Sequence, residues 1–280
     1  MRTVLIFILL FTTTVIFTGC GQSFADSRAP GNQDFQRGKA YYARQDYQSA
    51  ITSFQRAVDS NPDGWLFRNW IGMSYFNLKQ YNQAITNLEI SNKGRETPSN
   101  HYFIAESNYH IGNYDAAIKH YERFIEMGKD NDLAHYFLGL SYLKKGHYHR
   151  AIAEFNHANQ MKRSIRNDAG IAKAYMGMKD YASAAPYLKK WALSDSSNGE
   201  AHQLLGITYT NLKVYDEAIK EFQRANLIKE TAQSYEGLGD IYCKLQQHKN
   251  ASKAYLKAIS LTKSNTSKDR IMNKYLHCKK

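Results

Sequence analysis

The chain has 280 residues, of which 37 are Lys or Arg and 25 are Asp or Glu, for a formal net charge of +12. With 43% hydrophobic residues and only four prolines it holds too much apolar surface to be disordered over most of its length. The charge favours anionic partners in bulk, yet it is spread along the chain rather than gathered in one block, and 21 tyrosines stand out as the compositional bias to be explained.

The N-terminus reads as an address. Met1-Arg2 is a short positive start, and Val4 to Phe17 is an apolar run broken by threonines. A bilayer span needs about 20 apolar residues, so this run fits a signal peptide better than an anchor helix. It ends in Phe17-Thr18-Gly19-Cys20, which resembles a bacterial lipobox. That resemblance implies diacylglyceryl attachment at Cys20, and Gly21 after it, rather than aspartate, implies the outer membrane. Phe17 departs from the usual leucine. Cleavage after Ala25 to release a soluble periplasmic chain is the alternative. Residues 21–30 are polar and read as a tether.

From residue 31 the sequence repeats. Ala50-Ile51, Ala84-Ile85, Ala117-Ile118, Ala151-Ile152 and Ala218-Ile219 recur at intervals of 34, 33, 34 and 67 residues, with Ala184 inside the double interval and Ala251 beyond it. Seven units follow, beginning near Gly31, Trp65, Pro98, Asp132, Ile165, Gly199 and Ala232. Position 8 of each unit is Gly or Ala, position 20 is always Ala, and position 24 is always large and apolar. Small residues let two helices approach, and large ones fill the space beside them. Tyrosine recurs at position 11 (Tyr41, Tyr75, Tyr142, Tyr175, Tyr209, Tyr242) and at position 17, which accounts for most of the bias as framework.

These units, over residues 31–262, resemble the tetratricopeptide-repeat (TPR) family. The resemblance implies an all-α, right-handed superhelical solenoid of about seven helix-turn-helix units that binds other polypeptides. One departure is that only Pro62 is present at the family's closing proline position. Residues 263–280 form a capping helix and basic tail: Ile271, Met272, Tyr275 and Leu276 make a helical stripe, Ser267 is the candidate cap, and the basic residues are read as a solvated face. Cys243 and Cys278 lie at similar heights on successive first helices, and either pair or remain thiols.

By the same resemblance, positions 2, 5, 9 and 12 of each first helix face a concave groove. In the first four units they include Phe35, Lys39, Tyr42, Leu66, Met73, Phe76, Tyr102, Glu106, Tyr109, Leu133, Tyr136, Leu140 and Leu143. The partner-binding candidates are Phe35, Tyr42, Met73, Phe76, Tyr102, Tyr109, Tyr136 and Leu140. Such a surface suits protein or peptide segments with apolar anchors; packing between repeats is the competing reading of the same side chains. The last three units present mostly polar residues there, including Lys173, Glu200, Glu236 and Asp240. The clamp of lysine, asparagine and arginine by which some members of that family hold chaperone C-termini is not expected, since positions 5 and 9 of unit 1 are Phe35 and Lys39 and no adjacent units restore the pattern.

Catalytic signatures are absent from the sequence: no phosphate loop, no His-Glu-x-x-His, no Gly-x-Ser-x-Gly. No cofactor, small-molecule substrate or nucleic acid is expected. The ten histidines, including His147 and His149 in one turn, are read as solvated loop residues rather than metal ligands. The sequence therefore points to a non-enzymatic, lipid-anchored envelope scaffold that holds partners during assembly of a larger complex. It resembles pilotins of type IV pili and subunits of the outer-membrane protein insertion machinery. An adaptor or regulator of a peptidoglycan enzyme is the alternative.

Overall fold

The computed structural model describes residues 30–279, and its regular structure is entirely helical. The features assigned to residues 1–20 and most of the tether lie outside the described residues. Seven helical hairpins follow one another: α1 (Asn32–Ala43) with α2 (Tyr47–Ser60), α3 (Trp65–Asn77) with α4 (Tyr81–Gly94), α5 (Pro98–His110) with α6 (Tyr114–Glu126), and α7 (Asp132–Lys144) with α8 (Tyr148–Met161). Then come α9 (Ile165–Gly177) with α10 (Tyr181–Ser194), α11 (Gly199–Asn211) with α12 (Tyr215–Ile228), and α13 (Ala232–Lys244) with α14 (His248–Leu261). A final helix, α15 (Asn265–Cys278), closes the array. In each hairpin the first helix is termed A and the second B; six of the seven A helices begin at the unit starts given by the repeat, and α1 begins one residue later.

Each hairpin turns the same way. The residue two before the B helix is left-handed in every unit: Gln45, Lys79, Gly112, Gly146, Lys179, Lys213 and Gln246, with φ from 57° to 84°. The next N–H then bonds back to the carbonyl of position 11, as from Asp46 to Tyr41 at 3.0 Å and from Gln247 to Tyr242 at 2.8 Å. That bond satisfies one of the carbonyls a helix end leaves orphaned. Side-chain caps start several helices, among them Asp46, Thr97, Asn131, Asp180 and Asn198.

Within a hairpin, position 24 packs directly onto position 8. A Cβ added at Gly38 would lie 2.5 Å from the Phe54 ring, one at Gly72 2.5 Å from Leu88, and one at Gly239 2.6 Å from Tyr255. The seven alanines at position 20 are wholly buried, and the position 24 side chains are at most 2% exposed. Two of the latter reach the next unit as well. Phe155 sits between Gly139 and Gly170, and Phe222 between Gly206 and Gly237, so that added Cβ atoms would fall within 3 Å of either ring on both sides. Neighbouring A helices also pack on one another, at α3–α5, α5–α7, α7–α9, α11–α13 and α13–α15, more closely than B helices do. The A helices therefore form the inner layer of the curved array.

Three readings of the sequence are corrected here. The histidines are not all solvated: His101, His135 and His202, at position 4 of their units, are 7–8% exposed. Each reaches position 23 of its own B helix, His135 bonding Glu154 and His202 bonding Glu221, both at 2.5 Å. The cap of α15 is Ser264, whose hydroxyl accepts from the Ser267 N–H, so Ser267 lies inside the helix. The basic residues of α15 are also not merely a solvated face. Arg270 forks onto Glu236, with Nη2 at 2.7 Å, and Lys274 reaches both Glu236 and Asp240 at 2.7 Å. Burial alone would raise the Glu236 carboxyl, but Arg270 and Lys274 together hold it below its usual value. Cys243 and Cys278 are disulfide-bonded, with Cα atoms 5.6 Å apart, which settles the alternative left open by their spacing.

Candidate functional site: the inner face

The candidate groove residues separate into one buried side chain and seven that stay partly open. Phe35 is 5% exposed and packs on Phe54, Phe67 and Trp70 with ring centroids 5.7, 5.1 and 6.3 Å away. It belongs to the core of units 1 and 2, and its assignment to the groove is corrected: Phe67 and Trp70 of the following A helix cover it. Tyr42, Met73, Phe76, Tyr102, Tyr109, Tyr136 and Leu140 are half-buried. Packing and exposure coexist in these residues, with part of each side chain locked into the framework and part accessible.

The rings form a belt over units 1 to 4 in two contacting groups, Tyr42 with Trp70 and a chain from Phe76 to Tyr136 that passes through the buried Tyr121. Tyr42 stands edge-on to Trp70 at 5.0 Å, and its hydroxyl accepts from Asn77 at 2.9 Å. Phe76 meets Phe103 at 5.0 Å, and Phe103 meets Tyr102 at 5.6 Å. Tyr109 meets Phe137 at 5.4 Å, and Phe137 meets Tyr136 at 5.3 Å. Such edge-to-face pairs contribute about 0.5–1.5 kcal/mol each beyond area burial. The connecting rings Trp70, Phe103 and Phe137 occupy position 6 of units 2, 3 and 4. Sequence reasoning missed them because position 6 was not examined as a column. The signal was there: three aromatics in succession, then Gly170 in unit 5, where the belt ends.

Charge on this face is paired. Arg166 lies 4.7 Å over the Tyr136 ring and bonds Asp132 at 2.9 Å. Lys173 bonds Glu200 at 2.8 Å and lies over Trp191 at 5.2 Å. Toward the C-terminal end α15 stacks on α13 and α14 as the next helix of the array. A cleft there of about 630 Å³ is lined by residues that include Asn211, Gln233, Glu236, Asp240 and Arg270. Glu106 differs from these acids. Its carboxyl is 16% exposed, and burial pushes its pKa up to about 7, opposed by a hydrogen bond from Tyr102. Burial raises the Tyr102 hydroxyl well above its ordinary value, with Glu106 adding to the effect. Among the described residues no group of three or more His, Cys, Asp or Glu could hold a metal, and no helix is long and apolar enough to cross a membrane.

Comparison with known proteins agrees with this geometry. A family model described as anaphase-promoting complex, cyclosome, subunit 3 matches residues 43–124 and 110–184. Tetratricopeptide-repeat models match residues 170–229 and 232–265. No curated protein matches the sequence. Among solved structures, a tetratricopeptide-repeat protein from Parabacteroides merdae superposes with a TM-score of 0.60 at 15% identity, covering 88% of this chain and 98% of its own. The C-terminal part of a TPR repeat-containing protein from Cytophaga hutchinsonii gives 0.68 at 13% identity, covering 85% and 98%. MamA from Desulfovibrio magneticus RS-1 gives 0.56 at 19% identity, covering 59% and 94%. At these identities the structures speak for the fold alone. With the family models along the chain and seven helical hairpins in the register of the repeat, the chain belongs to the tetratricopeptide-repeat family.

Proposed function

We propose that the protein is an exported, lipid-anchored scaffold that holds a segment of a partner protein against the inner face of units 1 to 4 while a larger envelope complex assembles. The observation that carries this reading is the row of half-buried rings from Tyr42 to Tyr136 on the A helices of units 1 to 4, the inner layer of a polypeptide-binding fold. Large rigid rings supply contact area at little entropic cost, which suits an apolar anchor from a partner chain. The Cys243–Cys278 disulfide supports export, since structural disulfides persist in oxidising compartments. Anchoring rests on Cys20 and the apolar run before it. Several acyl chains would hold the chain durably at a bilayer, where one alone is marginal.

Two measurements test the parts separately. Cys20→Ser should abolish labelling by an alkynyl palmitate probe and release the chain from envelope membranes. Unchanged labelling would remove the anchor from the proposal. Crosslinked capture from intact envelopes should recover one partner with the wild-type chain and lose it with Tyr102→Ala plus Tyr136→Ala. Circular dichroism of the double variant must show the helical content intact, because both rings also pack on the framework. Capture that survives in the folded variant sinks the groove reading. A peptidoglycan enzyme among the captured proteins would select the adaptor alternative.

A further inference from the structure

The inner face already shows how it handles a cation. Arg166 is held between the Asp132 carboxylate and the face of Tyr136. Other A-helix acids are matched in the same manner: Asp34 by Arg37, Asp168 by Lys190, Glu200 by Lys173, and both Glu236 and Asp240 by Lys274. Every carboxylate on α1, α7, α9, α11 and α13 has a lysine or arginine partner. Glu106, the single acid of α5, has none among the described residues. The nearest basic group is the His110 ring at 4.0 Å, and burial, with Lys79 adding, holds that imidazole below its ordinary pKa and hence neutral at pH 7. The carboxyl takes a hydrogen bond from Tyr102, and the hydroxyl of the fully buried Tyr121, within electrostatic reach of it, has no hydrogen-bond partner among the described residues.

Glu106 also sits at the centre of the apolar stretch. Met73, Glu106 and Leu140 hold the same position 9 on three successive A helices, with Tyr102 one turn before Glu106. A carboxyl that is 16% exposed, bonded by Tyr102 and aligned in register with aliphatic side chains of the helices before and after is costly to ionise unless a cation neutralises it. Arginine and lysine side chains meet both demands, because their stems cover apolar surface while the head carries the charge to the acid and the rings.

Resting on the groove reading above, we propose that Glu106 recognises a basic anchor, an arginine or lysine side chain of the partner polypeptide. Its aliphatic stem lies over Met73 and Leu140, and its cationic head is held by the Glu106 carboxylate against Tyr102. The site is the missing half of a pair that the same face completes internally with Arg166 and Asp132. Long-range electrostatics do not produce this preference, since the chain's own net charge of +12 repels basic peptides.

The test is selection of a phage-displayed library of random dodecapeptides on the full chain in detergent, as wild type, Glu106→Gln, and Tyr102→Ala plus Tyr136→Ala. Peptides selected by wild type are expected to carry an arginine or lysine flanked by aromatic or aliphatic residues, and Glu106→Gln to lose the basic enrichment while still selecting apolar peptides. For one enriched synthetic peptide, replacing its arginine by citrulline should weaken binding to wild type by about tenfold or more, and to Glu106→Gln by about threefold or less. Wild-type selection of peptides without basic residues overturns this inference and leaves the groove reading standing. The same basic enrichment on Glu106→Gln does likewise. Failure of wild type to select any peptide, or undiminished selection by the folded tyrosine variant, overturns both.

Discussion

Single side chains carry most of the pH response of this molecule, and they do so in opposite directions. His120 meets His101 Nδ1 to Nδ1 at 2.8 Å, a contact in which one ring donates and the other accepts. Burial, and then the neighbouring His101, lower the His120 pKa to about 4. Its folded value lies below its unfolded one, so its stabilising share is present above about pH 6.5 and is lost as pH falls toward 4. Chemical denaturation at pH 7 and pH 5 should show a loss on the order of 1 kcal/mol after solvent screening, and His120→Asn should remove much of it. His135 behaves in reverse. Its bond to Glu154 raises its pKa, so its contribution is complete below about pH 6.5 and fades as pH rises through the folded value. Glu106 is also raised, to about 7, so folding is penalised as pH rises from about 4.5 to 7. Glu106→Gln should therefore stabilise the unliganded chain at pH 8 by on the order of 2 kcal/mol and change little at pH 4. None of this was legible from composition. A histidine at position 4 looks like any other until the hairpin brings position 23 against it.

Hairpins, by contrast, were readable almost to the residue. Fixed small residues at positions 8 and 20 and large ones at 24 define where two helices must touch, and a period locates every copy of that contact. The turn was not read, because its defining feature is a backbone angle rather than a residue type. Only Gly112 and Gly146 advertise the left-handed position, while Gln45, Lys79, Lys179, Lys213 and Gln246 adopt it with a Cβ. A left-handed L-residue costs about 1–2 kcal/mol. Lys179→Gly should therefore raise stability by up to about 1 kcal/mol, with some of the gain offset by the looser unfolded chain, as read by the denaturation midpoint. The groove shows the same division. Its tyrosines were found by register, whereas burial of Phe35 depended on Phe67 and Trp70 arriving from the next unit, a contact the unit's own pattern does not contain.

Across the whole chain, stability is a matter of neighbours. Each unit touches mainly the next, so a local perturbation should remain local. The Cys243–Cys278 bond closes a loop with a sequence separation of 35, and such closure contributes about 3–4 kcal/mol by chain entropy. Reduction, or Cys278→Ser, should speed amide hydrogen exchange in α15 and α13 and leave α3 to α8 unchanged. Loss of protection throughout the array would show instead that the closing helix nucleates the fold. The ion pairs of Arg270 and Lys274 with Glu236 should keep α15 partly docked after reduction, giving a graded rather than total loss.

The ring of Phe155, clasped between glycines of two units, has an equivalent in Phe222, and the two stand 67 residues apart. His135 and His202 keep the same separation, as do Glu154 and Glu221, Gly170 and Gly237, and the capping Asn131 and Asn198. The second half of the molecule is thus built from interchangeable double segments whose ends match. Excising residues 135–201 would join like to like and leave the remaining ring, Phe222, with both of its glycines, Gly206 and Gly237. Splicing in steps of two hairpins would thus keep the framework contacts, while the face turned to unit 3 would change, Gln203, Leu204 and Leu212 standing where Tyr136, Phe137 and Lys145 meet it.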